Sequence, residues 1–299
     1  MAFDGFEPRR TETSACDINL VVGGSGPPLL MLHGYPQTHF MWHKVAPAMA
    51  EHFTVVAPDI RGYGDSGHPP DGDNHSGHSK RAMARDQAEV MAALGFERFN
   101  LVGHDRGGRV AHRLFLDHPD RVKKLSVLDI APTRRVFADT DQQLATAYHH
   151  WFFLIQRAPY PETMNGNDVD FYLRSMMMRW GTGDDAITPE AFAEYLRCFS
   201  KPDTIHATSE DYRAVATIDL DHDAADQDTK FACPRQALGQ ESGHGIALRR
   251  AGGVAGACRN GKRTGNRVRS FHTGRSAQGY YGGAPEILQG LTRRPYVAD

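Results

Sequence analysis

One stretch of the chain has the residue types and spacing of covalent chemistry: Val102-Gly-His-Asp-Arg-Gly-Gly-Arg109. An apolar run feeds Gly-X-acid-X-Gly and then a helix-forming segment. Small residues at Gly103 and Gly107 permit a turn so sharp that the central side chain stands exposed at the sheet edge. That central residue is Asp105. A carboxylate there can displace a leaving group from an alkyl carbon and form an ester that water then cleaves, whereas a serine would point to acyl transfer. Asp is also a good helix N-cap, but a cap needs neither flanking glycine nor the strand before it. Arg106 and Arg109 follow at i, i+3, on one helix face. Taken alone, such a pair could be ordinary surface arginines.

Such side chains need a scaffold, and four segments share the pattern of one. Pro28 to Gly34, Phe53 to Gly62, Phe99 to Gly108 and Leu125 to Pro132 are short apolar runs ending in Gly, Asp or Pro before a polar turn. Continuous apolar runs separated by amphipathic stretches such as Lys80 to Leu94 predict parallel strands buried on both faces. The fold class is therefore α/β, a mostly parallel sheet flanked by helices, with ligands at the carboxyl ends of the strands. Between about Arg134 and Arg213 this rhythm gives way to helix formers rich in aromatics, among them Tyr148, Trp151, Phe171 and Trp180. That stretch predicts an inserted helical cap over 134–213, with the core formed by 1–133 and 214–299. Most of the cap aromatics are explained simply by packing onto the sheet.

The 299 residues carry Lys plus Arg 34 against Asp plus Glu 36, a net charge of −2. No overall basic field is available for nucleic acid or an anionic membrane, no run has the apolar length of a membrane span, and the N-terminus lacks a signal-peptide core. A small-molecule partner and a cytoplasmic location are the expectation, with no nucleic acid and no membrane. Cys16, Cys198, Cys233 and Cys258 have neither disulfide nor zinc spacing, which fits a reducing compartment. The segment 235–299 differs. It holds 13 of the 30 glycines, and eleven Lys and Arg against three acids. Glycine at that density opposes both helix and strand. A basic, glycine-rich segment invites an RNA reading, which its few aromatics argue against.

The chain resembles the α/β-hydrolase superfamily and, within it, the fluoroacetate (haloacetate) dehalogenases. The resemblance is carried by His33-Gly34-Tyr35-Pro36-Gln37, Asp59 to Asp65 (DIRGYGD), Gly103 to Arg109 (GHDRGGR), His150-Trp151 and Asp211-Tyr212-Arg213, and covers about residues 20 to 235. Arg106 is the specific mark, since haloalkane dehalogenases and epoxide hydrolases usually place Trp there. The resemblance implies that Asp105 attacks the α-carbon of a haloacid and that Arg106 and Arg109 hold its carboxylate. It implies further that His150, Trp151 and Tyr212 donate hydrogen bonds to the leaving halide, and that the backbone N–H groups of Tyr35 and Arg106 form an oxyanion hole. Asp129 would orient a histidine that activates water. No cofactor or metal is implied; the partner is a small-molecule haloacid, and a homodimer is left open.

The base is where the chain departs from the family. His272 lies 167 residues after Asp105, about the family distance, but its flanks do not match; His244 has better flanks and the wrong distance. His149 is a poor candidate because it adjoins the halide pair. We take His272 as the candidate base. The abrupt change near Cys233-Pro234, with family-like text returning at Ala284-Pro-Glu-Ile-Leu, leads us to expect a shifted reading frame over about 235 to 283, real or a sequencing error. The competing functions are an epoxide hydrolase or other Asp-nucleophile hydrolase, and a catalytically impaired small-acid binder.

Overall fold

The computed structural model describes residues 3–178, 187–226, 229 and 235–238. Among the described residues seven strands form one sheet in the order β1-β2-β4-β3-β5-β6-β7: β1 Phe6–Glu12, β2 Asp17–Gly23, β3 Pro28–Leu32, β4 Thr54–Pro58, β5 Phe99–His104, β6 Val122–Leu128 and β7 Arg235–Leu238. The pairs β3/β4, β3/β5, β5/β6 and β6/β7 are parallel, while β1/β2 and β2/β4 are antiparallel. The sheet is thus mostly parallel, as the apolar runs predict; the first three runs contain β3, β4 and β5, and the fourth holds the last four residues of β6, which begins earlier at Val122. Leu29, Leu30, Val55, Val56, Leu101 and Val102 are fully buried, as strands covered on both faces require.

Two features escape that pattern. β1 is charged and largely exposed, an edge strand, and β2 alternates buried with half-buried residues; a search for continuous apolar runs passes over both. At the other edge, Arg235–Leu238 pairs in register with β6, Leu125 opposite Arg235 and Leu128 opposite Leu238. The start of the segment we expected to oppose strand formation therefore adds a strand to the sheet, because these four residues precede the glycine-dense text.

Helices α1 (Ala46–Ala50), α2 (Lys80–Ala93) and α3 (Arg106–Asp117) alternate with the strands. After β6 come α4 (Thr133–Ala138), α5 (Gln142–Ala147), α6 (His149–Leu154), α7 (Tyr160–Asn167), α8 (Val169–Met178), α9 (Pro189–Phe199), α10 (Pro202–Val215) and α11 (Ile218–Ala225). Trp151, Leu154, Leu173, Phe199, Ile205 and Tyr212 from these later helices share one apolar cluster with Leu30, Leu32, Leu101 and Val110. The helical layer and the sheet thus enclose a common core. Truncating a residue such as Leu114, fully buried on α3, to alanine costs roughly 2–5 kcal/mol. Among the described residues no helix is long and apolar enough to cross a membrane.

Candidate active site

β5 ends one residue before Asp105, and α3 begins one residue after it. Asp105 takes φ 45° and ψ −115°, a conformation that costs a non-glycine residue about 1–3 kcal/mol. The flanking glycines make the turn possible. A Cβ on Gly107 would collide with the carbonyl oxygens of Leu32 and His33, and one on Gly103 with the carbonyl of Gly107. α3 therefore lies directly against the ends of β3 and β5. Although Asp105 occupies the N-cap position, its side chain makes no capping bond. Its Oδ2 instead accepts the backbone N–H of Tyr35 at 3.0 Å, which disposes of the capping alternative.

The segment carrying Tyr35 is fixed by His33. Nδ1 of His33 donates to the Gly34 carbonyl at 3.0 Å and Nε2 accepts from the Ile60 N–H at 3.0 Å, an assignment that follows from the bonding pattern. The ring is fully buried and burial pushes its pKa down to about 4. It works as a neutral brace between the ends of β3 and β4.

Both arginines are buried, which removes the surface reading. Arg106 donates from Nε to Asp211 Oδ2 at 2.9 Å, from Nη2 to Asp211 Oδ1, and from Nη2 to the Asp211 carbonyl at 2.9 Å. The fork expected to face a ligand is therefore committed to Asp211, and Nη1 is the nitrogen left without a hydrogen-bond partner among the described residues. Arg109 donates from Nη1 to the Ala131 carbonyl and to Thr133 Oγ1, each at 2.8 Å, and its Nε has no partner among the described residues. The Arg106 guanidinium lies 4.0 Å from the centre of the Tyr212 ring, and that of Arg109 lies 4.5 Å from the centre of Trp151, so aromatic faces hold both planes.

The helical layer closes over this pair. The rings of Tyr35 and His150 are parallel with centroids 6.4 Å apart, and Tyr212 meets Tyr35 edge-on at 5.2 Å, His150 at 5.8 Å and Trp151 at 6.0 Å. The Tyr35 and Tyr172 hydroxyls are 2.6 Å apart. Burial raises the Tyr212 phenol well above its usual range; Arg106 opposes the shift, and Asp105 and Asp211 reinforce it. Tyr212 thus stays a neutral O–H donor. Asp105, Tyr35, Arg106, Arg109, His150, Trp151 and Tyr212 come together. Asp129 follows β6 with φ 53° and is exposed; burial, then Asp129 and Asp105 together, push Tyr148 up to about 12, so both carboxylates act on that one phenol. His149 is exposed at the start of α6. His272 and His244 lie outside the described residues.

Three buried residues of this cluster, Asp211, Lys80 and Tyr63, have no role assigned from the sequence. Asp211, fully buried, accepts from Lys80 Nζ, from Arg106 and from the Tyr63 hydroxyl at 2.7 Å. Burial opposes its ionisation, but Arg106 and then Lys80 override that and hold it well below the usual carboxylate range. Adjacency to Tyr212 was the available signal. Lys80, which opens the amphipathic stretch, carries no mark of burial in its periodicity. Two described clusters approach metal-ligand geometry, Asp65/Glu194/Cys198 and Asp71/His206/Glu210. Arg197 and Lys201 engage Asp65, and Arg213 engages Glu210.

A family model described as alpha/beta hydrolase fold matches residues 27–237, and the chain belongs to that family. Among curated relatives it is 49% identical over 242 residues to a fluoroacetate dehalogenase of Burkholderia sp, covering 81% of this chain and 80% of the relative. It is 36% identical over 193 residues to a soluble epoxide hydrolase of Corynebacterium sp. (strain C12), covering 64% and 66%. A crystal structure from Nostoc sp PCC 7120, of a protein assigned to the α/β hydrolases, superposes with a TM-score of 0.87 at 49% identity, covering 98% of this chain and 100% of that one.

Proposed function

We propose that the protein hydrolyses a haloacetate, fluoroacetate or chloroacetate, to glycolate and halide through an ester on Asp105. The observation that carries this reading is the pair of buried guanidiniums, Arg106 and Arg109, each stacked on an aromatic ring beside the elbow carboxylate. A neutral substrate gives such a pair no task; a haloacetate presents a carboxylate one carbon from the C–X bond. In the first step an Asp105 oxygen forms a bond to the α-carbon as the C–X bond breaks, and the electron pair leaves with the halide. Held by Tyr35, Oδ2 is placed to remain as the ester carbonyl, which leaves Oδ1 to attack. Tyr212 O–H, His150 and Trp151 solvate the departing halide. In the second step water adds to Cγ of Asp105, the Tyr35 N–H stabilises the oxyanion on Oδ2, and collapse releases glycolate and restores the carboxylate. The base that takes the water's proton and returns it to the glycolate oxygen as the Cγ–O bond breaks is assigned to His272, with Asp129 orienting it; the carboxyl proton is then lost to solvent. The likeness to the Burkholderia fluoroacetate dehalogenase supports the same substrate class.

A second reading, epoxide hydrolysis, is favoured by the phenols of Tyr148 and Tyr212, both of which feel the Asp105 charge, and by the epoxide hydrolase relative. Incubating the purified protein with chloroacetate and, separately, with styrene oxide distinguishes the two. Halide release without diol is expected; diol without halide would overturn the dehalogenase reading.

A further inference from the structure

Behind the arginine pair lies a small buried ion cluster. Arg106 Nε and Nη2 and Lys80 Nζ all converge on the Asp211 carboxylate, and the Tyr63 hydroxyl adds a further donor at 2.7 Å. All four side chains are buried. One negative charge thus serves two cations, so the Lys80–Asp211–Arg106 triad keeps an excess of one positive charge at the elbow. Had Asp211 faced Arg106 alone, the pair would be neutral, and a carboxylate arriving at Nη1 would meet a quenched guanidinium. The arrangement also fixes direction. Asp211 takes one edge of the guanidinium and its own carbonyl takes Nη2 again at 2.9 Å, while Tyr212, the next residue of α10, covers the face at 4.0 Å. Nη1 is what remains to be offered, and this buried donor has no partner among the described residues, a cost that a bound acceptor would remove.

We propose that Lys80 and Asp211 are positioning residues for carboxylate binding: Asp211 fixes Arg106 so that Nη1 alone is presented, and Lys80 compensates Asp211 so that Arg106 keeps its charge for the anion. The proposal rests on the haloacetate reading for its ligand class. It also makes binding depend on the Lys80 proton. Facing Lys80 are Arg106 of α3, Asp211 of α10 and Asp219 of α11, whose carboxylate takes the Lys80 backbone N–H at 2.9 Å. Met83 Sδ of its own helix lies at 3.6 Å, and His78 of the preceding turn also feels Asp211. Burial and then Arg106 bring the ammonium down to about 8 against the pull of Asp211 and Asp219. Loss of that proton leaves the triad neutral and should weaken anion binding in mildly alkaline solution.

The test uses the full chain. Acetate, an unreactive carboxylate, is titrated by intrinsic fluorescence from pH 6.5 to 9.5. Chloroacetate and its neutral counterpart 2-chloroacetamide are compared in steady state or in a single turnover. The wild type should lose about tenfold in acetate affinity across that range. Lys80→Met should bind acetate about tenfold more weakly at pH 7 with a flat pH profile, raise KM for chloroacetate far more than it changes kcat, and affect 2-chloroacetamide several-fold less. Lys80→Arg should restore binding and remove the alkaline loss, since arginine stays charged. Asp211→Asn should likewise hurt chloroacetate more than the amide. If Lys80→Met does not fold, Lys80→Gln takes its place, and the wild-type titration needs no variant. A pH-independent acetate affinity in the wild type, or equal losses on chloroacetate and the amide in the variants, would overturn the proposal. Acetate binding with the expected pH dependence but no halide release would uphold the triad and reject the dehalogenase reading; halide release with an unaltered Lys80→Met would do the reverse.

Discussion

The backbone N–H of Tyr35 lies 3.0 Å from Oδ2 of Asp105, so one oxygen of the elbow carboxylate is anchored to the end of β3, and among the described residues the other accepts no hydrogen bond. A carboxylate held by one oxygen is oriented for attack by the second, and the same N–H then faces the oxyanion of ester hydrolysis. Asp105→Ala should therefore abolish halide release while leaving acetate binding largely intact. Halide release measured by electrode should fall by more than about a hundredfold, a barrier change above ~3 kcal/mol. A variant retaining more than that fraction would remove Asp105 as the nucleophile.

Arg109 reaches two groups on the chain after β6, the Ala131 carbonyl and Thr133 Oγ1, while its plane covers Trp151. Arg109→Leu should then do two things. It should raise KM for chloroacetate by roughly one to two orders of magnitude with a far smaller effect on 2-chloroacetamide, as expected when one charge-assisted contact is lost. It should also lower stability by about 1–3 kcal/mol, because a buried carbonyl loses its donor. Denaturant midpoints report the second effect independently. Equal kinetic losses on the acid and the amide would refute a carboxylate-specific role.

Trp151 is almost wholly buried, meets Phe137 edge-on at 5.6 Å and lies under Arg109. Its replacement by Phe keeps an aromatic face and removes the indole N–H. Fluoride depends more on hydrogen bonding as it leaves than chloride does, so Trp151→Phe should slow fluoroacetate more than chloroacetate by ~1–3 kcal/mol, the worth of one transition-state hydrogen bond. A packing role alone predicts equal slowing of the two.

What the sequence makes legible here follows from what leaves a local pattern. The parallel strands show because burial on both faces forces continuous apolar text, and the elbow shows because only glycine tolerates the contact of α3 with the ends of β3 and β5. His150, Trp151 and Tyr212 were found only by resemblance; taken singly each is another buried aromatic. The fate of the Arg106 fork was not legible, since Asp211 stands 105 residues away and nothing in a charge pattern says which acid an arginine meets across the core. β1 and β2 were missed for the opposite reason: an exposed edge and a half-buried neighbour carry no continuous run.

His33 makes stability depend on pH. Its folded-state pKa is lowered by burial to about 4 from an ordinary 6.5, so between those values the unfolded chain binds the extra proton and the folded one does not. Its contribution is present above the unfolded pKa and is lost as pH falls toward 4, by about 3 kcal/mol over the full window at ~1.4 kcal/mol per unit. His43, His68 and His78 are lowered as well and add in the same direction, while His39 and His206, raised by neighbouring acids, act oppositely. Urea midpoints at pH 7.5 and 5 should show the loss, and His33→Gln should shrink the difference between them. An unchanged difference in a folded variant would mean that other groups set the acid limb.

The last expectation concerns the two half-reactions. Alkylation of Asp105 needs the carboxylate, the arginine pair and the halide donors, all of which lie between Tyr35 and Tyr212. Ester hydrolysis needs, in addition, a base acting on water. If His272 does not serve as that base, the chain should release at most one halide per molecule from chloroacetate and stop as a carboxymethyl ester on Asp105. Intact-mass spectrometry would show it as a gain of about 58 Da, the covalent intermediate of nucleophilic catalysis. A version with 235–283 restored to the alternative reading frame should then turn over repeatedly. Sustained turnover by the present sequence, lost in His272→Ala, would instead establish His272 as the base and make the frame hypothesis unnecessary. Neither a burst nor turnover from folded protein that still binds acetate would leave the small-acid binder as the reading in force.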